Sequence, residues 1–212
     1  MDSSCTTQAR HDDVRQRLIH ESISLFVSRG YAATTVREIV EAAGVSKPVL
    51  YYYFKSKEGL YLDIMNGIGL LFDQQLEALR STKGCVRSRL LNLFTGMFDA
   101  ANENLAVVRL AYAIYFGAPQ GAPYIDFNRF FDQTIATVDD LICEGMRNGE
   151  IAPCDRNALN WTLVGSYQTI LEEQICRSQP RINRDGLVAV ISQILNGVLP
   201  SNAKTACKGA LQ

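Results

Sequence analysis

The stretch TTVREIVEAAGVSKPVLYYYFKSKEGL, Thr34 to Leu60, reads as two short helices joined by a tight glycine turn. Thr35 and Glu38 stand three apart, the spacing of a capping box in which hydroxyl and carboxylate each satisfy a backbone N–H at the helix start. Val36, Ile39, Val40 and Ala43 follow at helical spacing and make one apolar stripe. Gly44 ends that helix, because glycine adopts positive φ without a Cβ penalty. The second helix begins at Ser46 or Lys47, with Pro48 in the first turn, where a missing N–H costs little. A residue before proline resists the α conformation, which favours Lys47 as the cap.

The second helix, Lys47 to Phe54, sorts into two faces. Leu50 with Tyr53 or Phe54 suits an inward face, which leaves Lys47, Pro48, Val49, Tyr51 and Tyr52 pointing outward near the N-terminal end. A helix pair of this size fits the DNA major groove, about 12 Å wide, with the N-terminal end of the second helix against the bases. Lys47 suits guanine O6 or N7, and Pro48 and Val49 suit thymine methyls. The tyrosine hydroxyls and Lys57 suit phosphate oxygens, which fix register. Spacing alone leaves a second reading open, a small helical corner whose tyrosines are half-packed core. Upstream, Val14, Leu18, Ile19, Ser22, Leu25 and Phe26 make an amphipathic helix that stops at Gly30. It supplies the third wall of a three-helix head that needs nothing beyond residue 60.

The run LFVSRGYAATTVREIVEAAGVSKPVLYYYFKSKEGLY resembles the DNA-binding head of the TetR (tetracycline repressor) family of bacterial transcription regulators. The resemblance rests on Phe26, Gly30-Tyr31, Thr34-Thr35, the turn from Ala42 to Ser46, Leu50-Tyr51, Tyr53-Phe54 and Ser56-Lys57-Glu58. It implies that Lys47, Pro48, Val49 and Tyr51 approach bases, and that Thr35, Tyr52, Tyr53 and Lys57 approach the backbone. Thr34, Arg37 and Ser46 complete the expected DNA-binding set, Arg37 as part of a local basic cluster with Lys47, Lys55 and Lys57. Pro48 and Val49 depart from the glycine and threonine that many members carry, so the resemblance leaves the operator sequence open.

A chain of 212 residues with 47% apolar and 20% charged residues can build a sizeable core. Its formal net charge of −1 argues against non-specific coating of DNA, which depends on many phosphate contacts. Six cysteines, at positions 5, 85, 143, 154, 176 and 207, lack CxxC or zinc-finger spacing, and reduced thiols are expected. Cys143, Cys154 and Cys176 would be the ones to test for redox sensing. The polar N-terminus has no signal-peptide core, and no apolar run reaches the ~20 residues of a bilayer span. The expectation is a cytoplasmic protein with no membrane partner.

The rest of the chain reads as helices, giving an all-α fold of about nine. A linker helix runs from Ser56 to about Arg80, followed by Val86 to Ala101, Leu105 to Phe116, Asp126 to Arg147, a helix capped by Asp155 to about Arg177, and Asp185 to Leu199. The expected domains are a helix-turn-helix head over 1–58, a ligand-binding and dimerisation body over 59–200 and a flexible tail over 201–212. The last two helices look apolar nearly all round, through Leu159, Leu163, Tyr167 and Ile170, and through Leu187, Ile191, Ile194, Leu195 and Val198. Such helices are buried on more than one side, by the same chain or by a second subunit. The family resemblance implies the second, a homodimer formed through these helices on a palindromic operator.

Aromatic side chains gather between Phe94 and Phe131. Phe94, Phe98, Tyr112, Tyr115, Phe116, Phe127, Phe130 and Phe131, with Met97, Trp161 and Gln168, are candidates for a small-molecule site or equally for core filling. The resemblance implies a pocket for an inducer that weakens DNA binding, and the scarcity of buried charge points to an apolar or aromatic compound. Catalytic sets are missing. His11 and His20 are nine residues apart, Asp139-Asp140 and Glu172-Glu173 diverge on their helices, and no phosphate-binding or nucleophile motif occurs. No enzyme activity, cofactor or metal is expected.

Overall fold

The computed structural model describes residues 3–117 and 121–198, with side chains from residue 13 onward. The expected tail, 201–212, lies outside the described residues. Nine α-helices are present among the described residues: α1 (Ser3–Arg29), α2 (Val36–Ala42), α3 (Lys47–Phe54), α4 (Lys57–Arg80), α5 (Val86–Glu103), α6 (Leu105–Phe116), α7 (Asn128–Arg147), α8 (Arg156–Cys176) and α9 (Arg184–Gly197). The all-α expectation holds, with helix ends displaced by a few residues.

The chain packs as two units. One comprises the chain up to Leu70 together with Ala106–Phe127; the other comprises Leu71–Leu105 and the chain from Asn128 on. The division therefore falls within α4 rather than ahead of it, and a segment distant in sequence joins the head.

In the first unit, Leu18, Phe26, Ile39, Leu50, Phe54 and Leu60 are buried in one apolar cluster. Tyr61, Ile64, Met65 and Leu110 belong to the same cluster, with Val107, Ile114, Ile125 and Phe127 packed against it. The head is thus not closed at residue 60, as the amphipathic pattern of α1–α3 suggested. The first half of α4, up to Leu70, and α6 cover apolar surface that α1–α3 leave open. Ser22, buried in α1, satisfies its hydroxyl by donating to Leu18 O at 2.6 Å. Tyr61 packs against the rings of Phe26 and Tyr31, and burial raises its phenol to about 12.

In the second unit, α8 packs against α5, α7 and α9, and α5 also meets α7 and α9. Leu159, Leu163, Tyr167, Ile170, Leu187, Ile191 and Leu195 are all buried in this arrangement. Helices of the same chain cover them. Only Ile194 and Val198 of the expected set remain half-buried. The reason is that α8 is covered on several sides, which consumes the apolar surface that pointed to a partner. Buried amides on α8 are also bonded within the chain. Asn160 Nδ2 donates to Ile135 O at 2.9 Å, and Gln174 Nε2 donates to Ile182 O at 2.7 Å.

Candidate nucleic-acid interface

Local bonding holds α2 and α3 in a fixed corner. Thr35 caps α2 in extended backbone, accepting from Glu38 N at 3.3 Å while its own N–H donates to Glu38 Oε2 at 2.8 Å. That amide bond is the main reason the Glu38 carboxyl lies below its ordinary pKa. Gly44, at φ +64°, closes the other end: its N–H donates to Glu41 O and the Val45 N–H to Val40 O. These two bonds satisfy carbonyls that a helix end otherwise leaves open.

The cap of α3 is Ser46, in extended backbone, and Lys47 is the first helical residue, correcting the preference for Lys47 as cap. The steric resistance of a residue before proline is outweighed here by the helix that Leu50 and Phe54 anchor in the core. At the other end Lys55 adopts φ +67°, and the Ser56 N–H donates to Phe54 O at 2.8 Å. This three-residue turn is strained for a side chain other than glycine. It stops α3 so abruptly that only Lys55 and Ser56 separate it from α4.

With Leu50 and Phe54 inward, Ser46, Lys47 and Pro48 are exposed, and so are Tyr51 and Tyr52, at 45% and 65%. Val49 and Tyr53 are half-buried and pack partly against the head core. Arg37 is exposed on α2 and ion-paired with Glu41 at 2.7 Å. The outward face expected of α3 is present, with Val49 turned further inward than its spacing suggested.

Two expected contacts take other roles. Thr34 is buried, and its hydroxyl donates to Gly30 O at 2.9 Å, so its side chain braces the loop before α2. Lys57 Nζ donates to Tyr31 O and Thr34 O, both at 2.9 Å, and lies 4.2 Å from the Tyr31 ring centroid. Burial pulls its ammonium below the ordinary lysine pKa. Lys57 therefore pins the start of α4 to the loop that leads into α2. The spacing gave no sign of this, because the partners are backbone carbonyls 23 and 26 residues away.

This pin has a measurable consequence. Lys57→Met will lower the unfolding free energy by about 1.5–3 kcal/mol, since it removes two charge-assisted bonds to part-buried carbonyls, of which Tyr31 O keeps the Thr34 N–H. Thermal denaturation checks it. A lysine that served only phosphate would leave the melting temperature unchanged and reduce the salt slope of DNA binding by about 1.

The aromatic candidates divide between the units. Phe94, Met97, Phe98, Phe130, Phe131, Trp161 and Gln168 belong to the second, and Tyr112, Tyr115, Phe116 and Phe127 to the first. Phe94 and Phe98 are buried, with Phe94 against Tyr167 at 5.5 Å between ring centroids. Phe131 lies 5.6 Å from Trp161, and Phe130 5.0 Å from Phe72. In the first unit Tyr112, Phe116, Tyr115 and Phe127 form a chain of ring contacts from 4.7 to 6.2 Å, with Tyr115 and Phe116 exposed.

Beside Trp161 an open groove of about 480 Å³ runs along α8 and α9, lined by Thr162, Gly165, Ser166, Thr169, Ile170 and Val190. Thr162, Gly165, Ser166 and Thr169 are not legible as a lining in the sequence, because a stripe of small polar residues carries no apolar period. Cys85, Cys143, Cys154 and Cys176 are free thiols. Among the described residues no group of three or more His, Cys, Asp or Glu could hold a metal ion. No helix among them is long and apolar enough to cross a membrane.

A capped helix, a glycine turn and a second helix with an exposed N-terminal face define a helix-turn-helix motif. Residues 18–64 match the model of bacterial regulatory proteins of the tetR family. The chain is 30% identical over 142 residues to the HTH-type transcriptional repressor KstR2 of Mycolicibacterium smegmatis, covering 66% of this chain and 68% of that protein. It is 36% identical over 116 residues to the HTH-type transcriptional activator FasR of the same organism, covering 54% of this chain and about half, 52%, of the activator. The fold is shared with the TetR-family regulator PfmR of Thermus thermophilus, with TM-score 0.67, 20% identity and coverage of 85% and 97%. The chain belongs to the TetR family of bacterial regulatory proteins.

Proposed function

We propose that this protein is a cytoplasmic repressor that binds a palindromic operator as a homodimer and is released by a small apolar or aromatic ligand. The observation that carries the reading is α3, locked into the core by Leu50 and Phe54 while Lys47, Pro48, Tyr51 and Tyr52 stand exposed. That division is what a helix needs to enter the major groove without disturbing its own packing. Repression is the assignment favoured by likeness to KstR2, a named repressor, over the shorter match to FasR, a named activator.

The homodimer draws on α8 and α9, with a different seam from the one expected. Trp161 is 52% exposed, and Thr162, Gly165, Ser166 and Thr169 follow along the same helix. Small residues let a second helix approach closely, and the large exposed ring offers an anchor. Two subunits so joined would present two reading helices about 34–36 Å apart, one turn of DNA. For the ligand, aromatic side chains in both units supply apolar surface, and release follows only from differential affinity for the two states. No enzyme activity and no cofactor enters this reading.

Selection of bound duplexes from a random DNA pool tests it. The expected result is an inverted repeat whose half-sites are about one helical turn apart, or a simple extension of that spacing. A folded protein that enriches no sequence at low salt would refute the reading.

A further inference from the structure

We infer that the second unit binds an organic cation, a protonated amine on an apolar or aromatic body, between the last turns of α4 and the first turns of α7, with Asp73 selecting for the charge. The inference rests on the ligand-responsive reading proposed above and names the chemical class of the ligand. Five buried side-chain polar atoms among the described residues have no hydrogen-bond partner, and three of them gather at one stretch of α7. Asp73 Oδ1 belongs to the α4 residue that meets Arg129, and Gln133 Oε1 stands one turn further along α7. Asn160 Oδ1 belongs to the α8 amide that donates to Ile135 O at 2.9 Å. Orphaned polar atoms are rare in folded proteins, because each forfeits its bonds to water.

All three atoms are acceptors. The group that matches them donates and has no acceptor of its own to leave unpaired. An ammonium, with three N–H donors, fits this description; a hydroxyl brings lone pairs with its one donor, and a carboxylate has no donor at all. Asp73 decides between a neutral and a charged donor. Its carboxylate follows Phe72, whose ring meets that of Phe130 at 5.0 Å between centroids. A carboxylate beside aromatic rings is a combination that attracts a cation.

The protein already holds a cation at this place. Arg129 donates through Nη2 to Asp73 Oδ2 at 3.2 Å, and its guanidinium carbon lies 5.0 Å from the Phe130 ring centroid. It occupies one carboxylate oxygen and leaves the other bare. The two side chains are 48% and 42% exposed, so the pair is held weakly. Arg129 is therefore a resident stand-in that an entering amine displaces, and the amine pairs oxygens that the arginine leaves unmet. None of Asp73, Arg129 and Gln133 belongs to an apolar stripe, so the aromatic clustering in the sequence pointed here only through Phe130.

Benzylamine, benzyl alcohol and benzoate share one ring and differ in the head group. Calorimetric titration of the whole chain with each tests the inference, with the fluorescence of Trp161, the single tryptophan, as a second readout. Benzylamine should bind about tenfold more tightly than benzyl alcohol, the effect of one added charge-assisted bond, and benzoate should not bind. Asp73→Asn keeps the shape and removes the charge, so it should erase the preference while the melting temperature stays in place. Arg129→Ala removes the resident cation and should tighten benzylamine several-fold. Equal affinity for amine and alcohol, a preference that survives Asp73→Asn, or no binding of benzylamine at millimolar concentration would overturn the inference and leave DNA binding untouched. Binding as expected without release of the operator duplex would uphold the cation site and sink the inducer reading instead.

Discussion

Replacing Phe94 by alanine will lower the unfolding free energy by about 3–5 kcal/mol, the cost of removing a fully buried aromatic side chain whose surroundings relax only in part. Phe94 is 0% exposed and lies against Tyr167, itself buried on α8. Neighbouring Leu90, Leu93 and Phe98 on α5 are buried too. Chemical denaturation of the purified protein gives the number directly. The result also separates the two roles open to the aromatic cluster. A ring that mainly lined a ligand cavity would be lost at little cost to stability, and its removal would show in ligand affinity alone. A drop below about 1 kcal/mol, near the middle of all point substitutions, would return Phe94 to the list of ligand contacts.

Combining Lys47→Ala with Tyr51→Ala will abolish operator binding at protein concentrations that saturate the unchanged protein. Each base contact is worth about 1–3 kcal/mol, so the pair stands for one to several orders of magnitude in Kd. Both side chains are exposed, so the head should keep its melting temperature, within the ±0.5 kcal/mol usual for surface changes. Titration of a fluorescent operator duplex, with a scrambled duplex as reference, reads the effect. Loss on the operator alone marks base reading; equal loss on both duplexes marks contacts to phosphate. Unchanged affinity for the operator would mean that α3 does not enter the groove.

The parts of the head that were legible in the sequence are those built from near neighbours. Thr35 and Glu38 form their box across three residues, Gly44 takes the positive φ its position demands, and Asp155 caps α8 by accepting from Ala158 N. Each is decided within one turn of helix. What could not be read depends on which way a side chain turns once helices meet. Thr34 and Lys57 look like surface contacts by type, yet one is buried and the other is bonded to carbonyls in a distant loop. The apolar girth of α8 had two solutions in sequence, a partner or its own chain, and only packing chooses between them. The choice of Ser46 over Lys47 as cap was a competition between two local rules, settled by the core contacts of the helix that follows.

The unit that carries α3 is discontinuous, since Ala106–Phe127 belongs to it and the intervening residues do not. Leu110 is buried among Leu18, Phe26 and Tyr61, although it lies some forty residues beyond the last head residue of α4. On the ribosome the head therefore cannot complete its core until α6 has been made. Anyone grafting α3 onto another scaffold must carry both pieces: a transplant cut after α4 would leave the apolar faces of α1 and α4 bare, prone to aggregation however well α3 itself were chosen.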